Sequence, residues 1–199
     1  MTGPGACTRA VAFREAEGRM DDAAGQLPVL AVLGGSRATQ QECEVAAAVG
    51  RLAAERGWVV LTGGGPGVMG AASRGAFEAG GLTLAILPGA GPSPGYPNRW
   101  VRLPVYTGAG HARNVFNVLT ARLCVAVGGS AGTLSEIALA LKAGVEVWSF
   151  AGWRLDPPAS SLAIRPRMFE ERGELLRALE AVLASGGGEG GSRAVSSEL

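Results

Sequence analysis

Short apolar runs alternate along this chain with stretches in which apolar residues recur every three to four positions. The runs are rich in Val, Leu and Ile and are bounded by Gly or Pro, as is typical of strands that are buried on both faces. We predict strands at residues 28–33, 58–61, 82–87, 123–127 and 145–148.

Two of the intervening stretches have the period of an amphipathic helix. Their apolar positions are Val45, Val49 and Leu52 in the first, and Leu134, Ile137, Ala138 and Leu141 in the second. Gly57 and Gly144 follow these stretches and are placed to end the helices. A last helix is predicted at 167–183, and the proline-rich residues 89–99 are predicted to form an ordered surface loop or lid.

Strands that alternate with helices at this spacing indicate βαβ units with right-handed crossovers. We therefore predict an α/β fold, a Rossmann-like doubly wound parallel sheet flanked by helices, as a single domain over residues 27–184. Ligands of such folds bind at the carboxyl ends of the strands. Residues 1–26 and 185–199 are polar or glycine-rich and lack a period, so we expect them to be flexible.

Composition excludes several classes of protein. With 47% hydrophobic residues in 199, the chain can bury a core without disulfides, and 18 basic against 17 acidic residues argue against a nucleic-acid partner. Cys7, Cys43 and Cys124 have no CxxC spacing, so neither a disulfide framework nor a metal site is expected. No apolar run approaches the roughly 20 residues that span a bilayer. We expect a cytoplasmic protein without a membrane partner.

Three glycine-rich turns follow predicted strands and precede predicted helices. In the first, Gly35 lets the backbone approach a phosphate, and Ser36 and Arg37 add hydrogen-bond donors; a plain tight turn is the alternative. The second, residues 62–70, offers Gly64, Gly65 and Met69, with Pro66 suited to the first helical turn. It lacks the lysine of a P-loop and the register of GxGxxG.

The third turn is the strongest candidate for an anion site. Its backbone amides and hydroxyls, at the positive end of a helix, would form a nest for phosphate. The candidate residues are Gly128, Gly129, Ser130, Gly132 and Thr133. The alternative is structural, because Thr133 and Glu136 also have the spacing of a capping box.

Glu136 has an unusual charge context. Between Gly57 and Val145 the acidic residues are Glu78 and Glu136, against five arginines and one lysine. A carboxylate among basic groups at a strand end is a candidate for chemistry. Glu136 also follows Gly132 by four residues, so it lies over the same helical face as the phosphate turn.

Four segments together resemble the LOG/lysine-decarboxylase-like Rossmann superfamily. They are GGSR, LTGGGPGVMGAASRGAFEAGG, HARN and VAVGGSAGTLSEIALALKAG, within residues 30–148. In LOG enzymes the resemblance implies hydrolysis of the N-glycosidic bond of a nucleoside 5′-monophosphate to base and ribose 5-phosphate, and not lysine decarboxylation. Arg113 and Glu136 correspond to the essential Arg and Glu. The Glu136 carboxylate would stabilise positive charge on the sugar, and Arg113 would hold the substrate. The alternative for Arg113 is a solvated cation at the start of a helix.

Three positions depart from the enzyme motif. Val127 stands in place of proline, Ser135 in place of glutamate, and Asn114 in place of lysine. The branch with VGG…GTLSEIALAL includes molybdenum-cofactor carriers, so a non-catalytic carrier or nucleotide-binding protein is the alternative function. No cofactor is expected to be required, and the expected ligand is a nucleotide, a phosphate or a molybdopterin-type molecule. The resemblance further implies a homodimer or homotetramer.

Overall fold

A computed structural model describes residues 26–155 and 165–185 of the chain. The two segments predicted to be flexible therefore lie outside the described residues, apart from Gln26 and Ser185 at their inner ends. Their flexibility stays a prediction. None of the helices in the described part of the chain is long and apolar enough to cross a membrane.

Seven parallel strands form one sheet, in the order β4-β3-β2-β1-β5-β6-β7. They are β1 (Val29–Gly34), β2 (Val59–Thr62), β3 (Thr83–Leu87), β4 (Leu103–Tyr106), β5 (Leu123–Val127), β6 (Glu146–Phe150) and β7 (Arg167–Phe169). β1 pairs with β2 on one side and with β5 on the other. The chain therefore winds outward from β1 in both directions, which confirms the predicted doubly wound Rossmann-like fold.

Five helices cover the two faces of this sheet. They are α1 (Gln40–Glu55), α2 (Val68–Glu78), α3 (Arg113–Thr120), α4 (Ala131–Lys142) and α5 (Arg172–Ser185). One buried apolar cluster lies beneath α1, α2 and α5, and the other lies beneath α3 and α4. The α1 helix begins with a capping box, in which Thr39 Oγ1 accepts from Glu42 N and Glu42 Oε2 accepts from Thr39 N.

The α1 and α2 helices approach each other through glycine. A Cβ atom at Gly50 would lie 2.2 Å from the carbonyl oxygen of Ala72, and one at Gly75 would lie 2.0 Å from that of Ala47. These separations are too short for any side chain. The two backbones are therefore in direct contact at both crossings.

The structure differs from the sequence prediction at several boundaries. β4 was missed, because it is a four-residue edge strand that contains Pro104 and is partly exposed along its length. The helix predicted at 167–183 was wrong at its start: 167–169 form β7, and α5 begins at Arg172. Pro66 precedes the N-cap residue Gly67 and so lies outside the first turn of α2.

The parallel arrangement brings all three glycine-rich turns to one edge. Because β2, β1 and β5 are adjacent, the turns that follow them lie side by side at their carboxyl ends. The change of winding direction between β1 and β5 leaves a crevice there, where ligands of this fold class bind. The N–H of Val68 donates to the carbonyl oxygen of Gly35 over 3.1 Å, which ties the first turn to the start of α2.

Candidate functional site

A cavity of about 160 Å³ lies at this edge, between the ends of β1, β2 and β5. The turns after these strands and the first turns of α3 and α4 form its walls. The sequence-predicted residues that line it are Gly35, Ser36, Met69, Arg113, Ser130, Gly132, Thr133 and Glu136.

Five other predicted residues lie beside the cavity without lining it. They are Arg37, Gly64, Gly65, Gly128 and Gly129. The Arg37 side chain is exposed to solvent. The glycines let other side chains approach the turns: Leu87 at Gly64, Tyr96 at Gly65, Glu42 at Gly128 and Trp153 at Gly129. Their contribution is to the shape of the turns.

Ser130 organises the third turn. It is the N-cap of α4, and its Oγ accepts a hydrogen bond from Thr133 N over 3.2 Å. The capping box between Thr133 and Glu136, which sequence alone left open, is therefore wrong. The helix begins at Ala131, so the N–H groups of Ala131 and Gly132 have no partner within it. These amides and the Ser130 and Thr133 hydroxyls form what we call the anion nest.

Arg113 begins α3, yet its side chain is not solvated as the alternative reading supposed. Only 14% of that side chain is exposed, and Nη1 is buried with no hydrogen-bond partner among the described residues. Nη1 lies 3.9 Å from Oε1 of Glu136. A Cβ atom at Gly63 would come within 2.3 Å of Nη1, so the guanidinium lies directly on the second turn. A buried guanidinium nitrogen without a hydrogen-bond partner beside a cavity is suited to bind an anionic group.

The Glu136 carboxyl group is buried, with 7% of the residue exposed. It accepts a hydrogen bond from a residue of α3 that the sequence analysis missed. Asn117 Nδ2 donates to Oε1 of Glu136 over 2.8 Å. Burial raises the pKa of Glu136, and the Asn117 hydrogen bond and the Arg113 charge offset part of that rise. Asn117 follows Arg113 by four residues, and this spacing on one helical face is the signal that could have found it.

The thiol of Cys124 lies in β5 near Glu136. Burial, followed by the negative charge of Glu136, raises its pKa to about 12. A fully buried thiol with this pKa stays protonated and unreactive. Cys124 is therefore a core residue of β5.

Two of the positions that depart from the LOG enzyme motif contact each other. Asn114 Nδ2 donates to Ser135 Oγ over 3.2 Å, and Ser135 Oγ in turn donates to the carbonyl oxygen of Gly132 over 2.7 Å. A neutral hydrogen-bonded pair thus stands where the enzyme motif has lysine and glutamate. The two departures form one local change in the cavity wall.

The loop at residues 89–99 is fastened to the second turn. Asn98 donates from its backbone N to the carbonyl oxygen of Gly64 over 2.7 Å and from Nδ2 to that of Gly65 over 3.0 Å. This places Tyr96 in the cavity wall, where His111 also lies with an exposed side chain. Within residues 26–155 and 165–185, no group of three or more His, Cys, Asp or Glu residues is arranged to hold a metal ion.

The model of the SLOG cluster4 family matches residues 27–165. The chain belongs to the SLOG cluster4 family. The resemblance to the LOG/lysine-decarboxylase-like superfamily is thereby confirmed. Archaeoglobus fulgidus has a relative of this chain that is described as an uncharacterized protein. The two are 40% identical over 133 residues, which are 67% of this chain and 83% of the relative.

Solved structures extend the comparison. The molybdenum cofactor binding protein of the phototrophic bacterium Rippkaea orientalis is 33% identical, with a TM-score of 0.69 over 80% of this chain and 99% of that one. The molybdenum cofactor carrier protein of Chlamydomonas reinhardtii is 32% identical, with a TM-score of 0.66 over 80% of this chain and all of that one (100%). The SLOG cluster4 chain thus shares its fold with proteins named for this cofactor, and about a third of the residues in the aligned 80% of its length are identical to theirs.

Proposed function

We propose that this protein binds a phosphorylated heterocyclic ligand of the molybdopterin type and acts as its carrier. The observation that carries the proposal is that the anion nest and the buried Nη1 of Arg113, which has no hydrogen-bond partner among the described residues, meet at one cavity. A helix N-terminus with free amides binds phosphate, and a guanidinium adds a charge-assisted hydrogen bond. The ligand is cargo in this proposal, so no step of chemistry is required of the chain.

The named relatives support the molybdopterin class over other phosphorylated ligands. They share about a third of their residues with this chain over most of its fold, and their names state binding or carriage of the molybdenum cofactor. The neutral pair of Asn114 and Ser135 also favours binding without catalysis, since it replaces two charged residues of the LOG enzyme motif.

Hydrolysis of a nucleoside 5′-monophosphate is the second candidate, and Glu136 is the observation that favours it. In that reaction water adds to C1′ of the sugar, the C1′–N bond breaks, and the base leaves with a proton. An ionised carboxylate stabilises the positive charge that develops on the sugar. Glu136 lies in the cavity wall beside Arg113, where it could face a bound ribose. The rise in its pKa on burial works against this role, because it favours the neutral acid.

A binding and turnover experiment separates the two functions. The purified protein would be titrated with molybdopterin and with nucleoside 5′-monophosphates by calorimetry, and free base would be measured by chromatography. We expect molybdopterin to bind and no base to be released. Release of base that disappears in Glu136→Gln would establish the hydrolase and overturn the carrier.

Arginine variants provide a matched control for the binding site. Arg113→Ala removes the buried guanidinium, whereas Arg122→Ala removes an exposed one in the turn before β5. We expect the first variant to lose affinity for every phosphorylated ligand and the second to bind as the unaltered protein does. Equal affinity in both variants would contradict the assignment of the cavity as the binding site.

We also propose that the chain forms a homodimer or homotetramer through the outer face of α3. Phe116 and Leu119 are three residues apart on this helix and are 48% and 61% exposed. Adjacent large apolar side chains in solvent are typical of an interface between subunits.

A further inference from the structure

We infer that Tyr96 recognises the heterocycle of the ligand, at the end of the cavity that lies away from the anion nest. The inference rests on the proposed function, because it takes a phosphate to occupy the nest. Among the described residues that line the cavity, Tyr96 alone carries a phenyl or indole ring.

The order of the strands separates the two ends of the cavity. The anion nest follows β5, and Tyr96 lies against the turn that follows β2, with β1 between them. Neighbouring strands are about 4.8 Å apart, so roughly 10 Å separates the ends of β5 and β2. A ligand with its phosphate in the nest therefore reaches Tyr96 with the far end of the molecule. In a phosphorylated pterin or a nucleotide, that end is the ring.

The second turn holds Tyr96 at this place. A Cβ atom at Gly65 would lie 2.6 Å from Tyr96 Oη and 2.7 Å from Met69 Cε, so both side chains lie where only a glycine leaves room. The loop is closed by two backbone hydrogen bonds of 2.9 Å between Ser93 and Tyr96, and Asn98 fastens it to the turn. Because the ring is fixed before a ligand binds, little conformational entropy is lost in binding.

The Tyr96 hydroxyl is available to a ligand. It has no hydrogen-bond partner among the residues that the structure describes, although it lies in the cavity wall and not in open solvent. A phenol can donate to a ring nitrogen or an oxo group and can accept from an amino group. Pterins and purines present these groups on the edge of an aromatic ring, and that ring can also lie against the phenol. The chemical class that Tyr96 would select is thus a fused heterocycle with polar edge atoms.

The test compares a ligand that has a ring with one that lacks it. Guanosine 5′-monophosphate carries the same amino-oxo pyrimidine edge as a pterin, and ribose 5-phosphate has the sugar phosphate alone. Calorimetric titration of Tyr96→Phe should show about tenfold weaker binding of the nucleotide, as expected for the loss of one hydrogen bond. Binding of ribose 5-phosphate should be unchanged. Tyr106→Phe, at the end of β4, is the matched control and should leave both affinities unchanged.

Gly65→Ala provides a second variant that keeps the tyrosine. Its Cβ would displace Tyr96 and Met69, so the same selective loss of nucleotide binding is expected, with folding checked by circular dichroism. Equal losses for both ligands, or none for the nucleotide in Tyr96→Phe, would overturn the role of Tyr96 and leave the phosphate site intact. If the unaltered protein bound molybdopterin but neither guanosine 5′-monophosphate nor ribose 5-phosphate, the inference would fail and the proposed function would stand. Absence of molybdopterin binding as well would overturn both.

Discussion

Asn117 donates a hydrogen bond to Oε1 of Glu136 over 2.8 Å, and this contact joins α3 to α4 beneath the cavity. The carboxyl group also has Nη1 of Arg113 3.9 Å away. The pKa of Glu136 is nevertheless raised, because burial disfavours the ionised carboxylate more than the Asn117 hydrogen bond and the Arg113 charge stabilise it. The folded protein therefore binds the Glu136 proton more tightly than the unfolded chain does.

Glu136→Gln should consequently raise the stability of the fold at neutral pH. Between the ordinary pKa of 4.5 and the higher value in the folded state, the native protein holds more protons, so its stability falls as pH rises. Glutamine does not ionise, so the variant does not lose stability in this pH range. We expect the Tm of the variant to exceed that of the unaltered protein at about pH 8, with the gap closing as pH falls toward 4.5.

The exposed Glu44 supplies the control, since Glu44→Gln should change stability little at any pH. A Glu136→Gln protein that is less stable across the whole pH range would show that Arg113 and Asn117 outweigh the cost of burial.

Asn117→Leu should raise the pKa of Glu136 further. The leucine side chain has the same branching and the same number of non-hydrogen atoms as asparagine but no donor, so the ionised carboxylate loses its hydrogen bond. Titration of the glutamate carboxyl carbons by NMR would measure the change. An unaltered pKa would mean that Asn117 holds α3 in place without acting on the charge.

Gly63→Ala should weaken phosphate binding by displacing Arg113. The new Cβ would lie 2.3 Å from Nη1, and the guanidinium has to move away from the second turn. We expect about a tenfold loss of affinity for ribose 5-phosphate, as for one charge-assisted hydrogen bond. Gly91→Ala is the control, because a Cβ there meets nothing within 4 Å. Similar affinities in the two variants would remove Arg113 from the binding site.

Ser130→Ala should destabilise the fold through the start of α4. The Ser130 hydroxyl caps this helix by accepting from Thr133 N, and loss of an N-cap costs about 1 kcal/mol. Urea denaturation would measure the free energy of unfolding. Ser93→Ala, at an exposed serine of the loop at residues 89–99, is the control and should cost about 0.5 kcal/mol or less. If the two costs were equal, Ser130 would not be the effective cap.

Leu119→Glu should dissociate the proposed oligomer. The change places a charge on the most exposed large apolar residue that is described, at 61% exposure, so folding of the subunit should be unaffected. Light scattering coupled to size-exclusion chromatography would show a smaller particle than for the unaltered protein. Met168→Glu, on the edge strand at the other side of the sheet, should not change the mass. A monomeric unaltered protein would contradict the proposal directly.

Much of this architecture follows from short-range pattern. Buried parallel strands are continuous apolar runs, and the turns that follow them need glycine, so both are visible in the sequence. β4 was missed because Pro104 and a half-exposed surface blur the signal of a strand. At α4, Ser130 and Thr133 both have the chemistry of an N-cap, and only the three-dimensional path of the chain decides between them.

The parts of the site that sequence could not predict depend on contacts between distant residues. Asn117 and Glu136 are separated by 19 positions and belong to different helices. Tyr96 belongs to a loop rich in proline and glycine, and it reaches Gly65 only because Asn98 fastens that loop to the second turn. No local period or motif encodes either contact.

The contact of α1 with α2 has a consequence for the width of the cavity. Both helices follow turns that border it, and Gly50 and Gly75 let their backbones touch. These two contacts therefore fix the distance between α1 and α2, and they lie between the helices and outside the cavity. Alanine ordinarily favours a helix more than glycine does. At Gly50 or Gly75, however, its methyl group would force α1 and α2 apart, and the first two glycine-rich turns would separate with them. The dimension of the site is thus fixed by two residues that are remote from it.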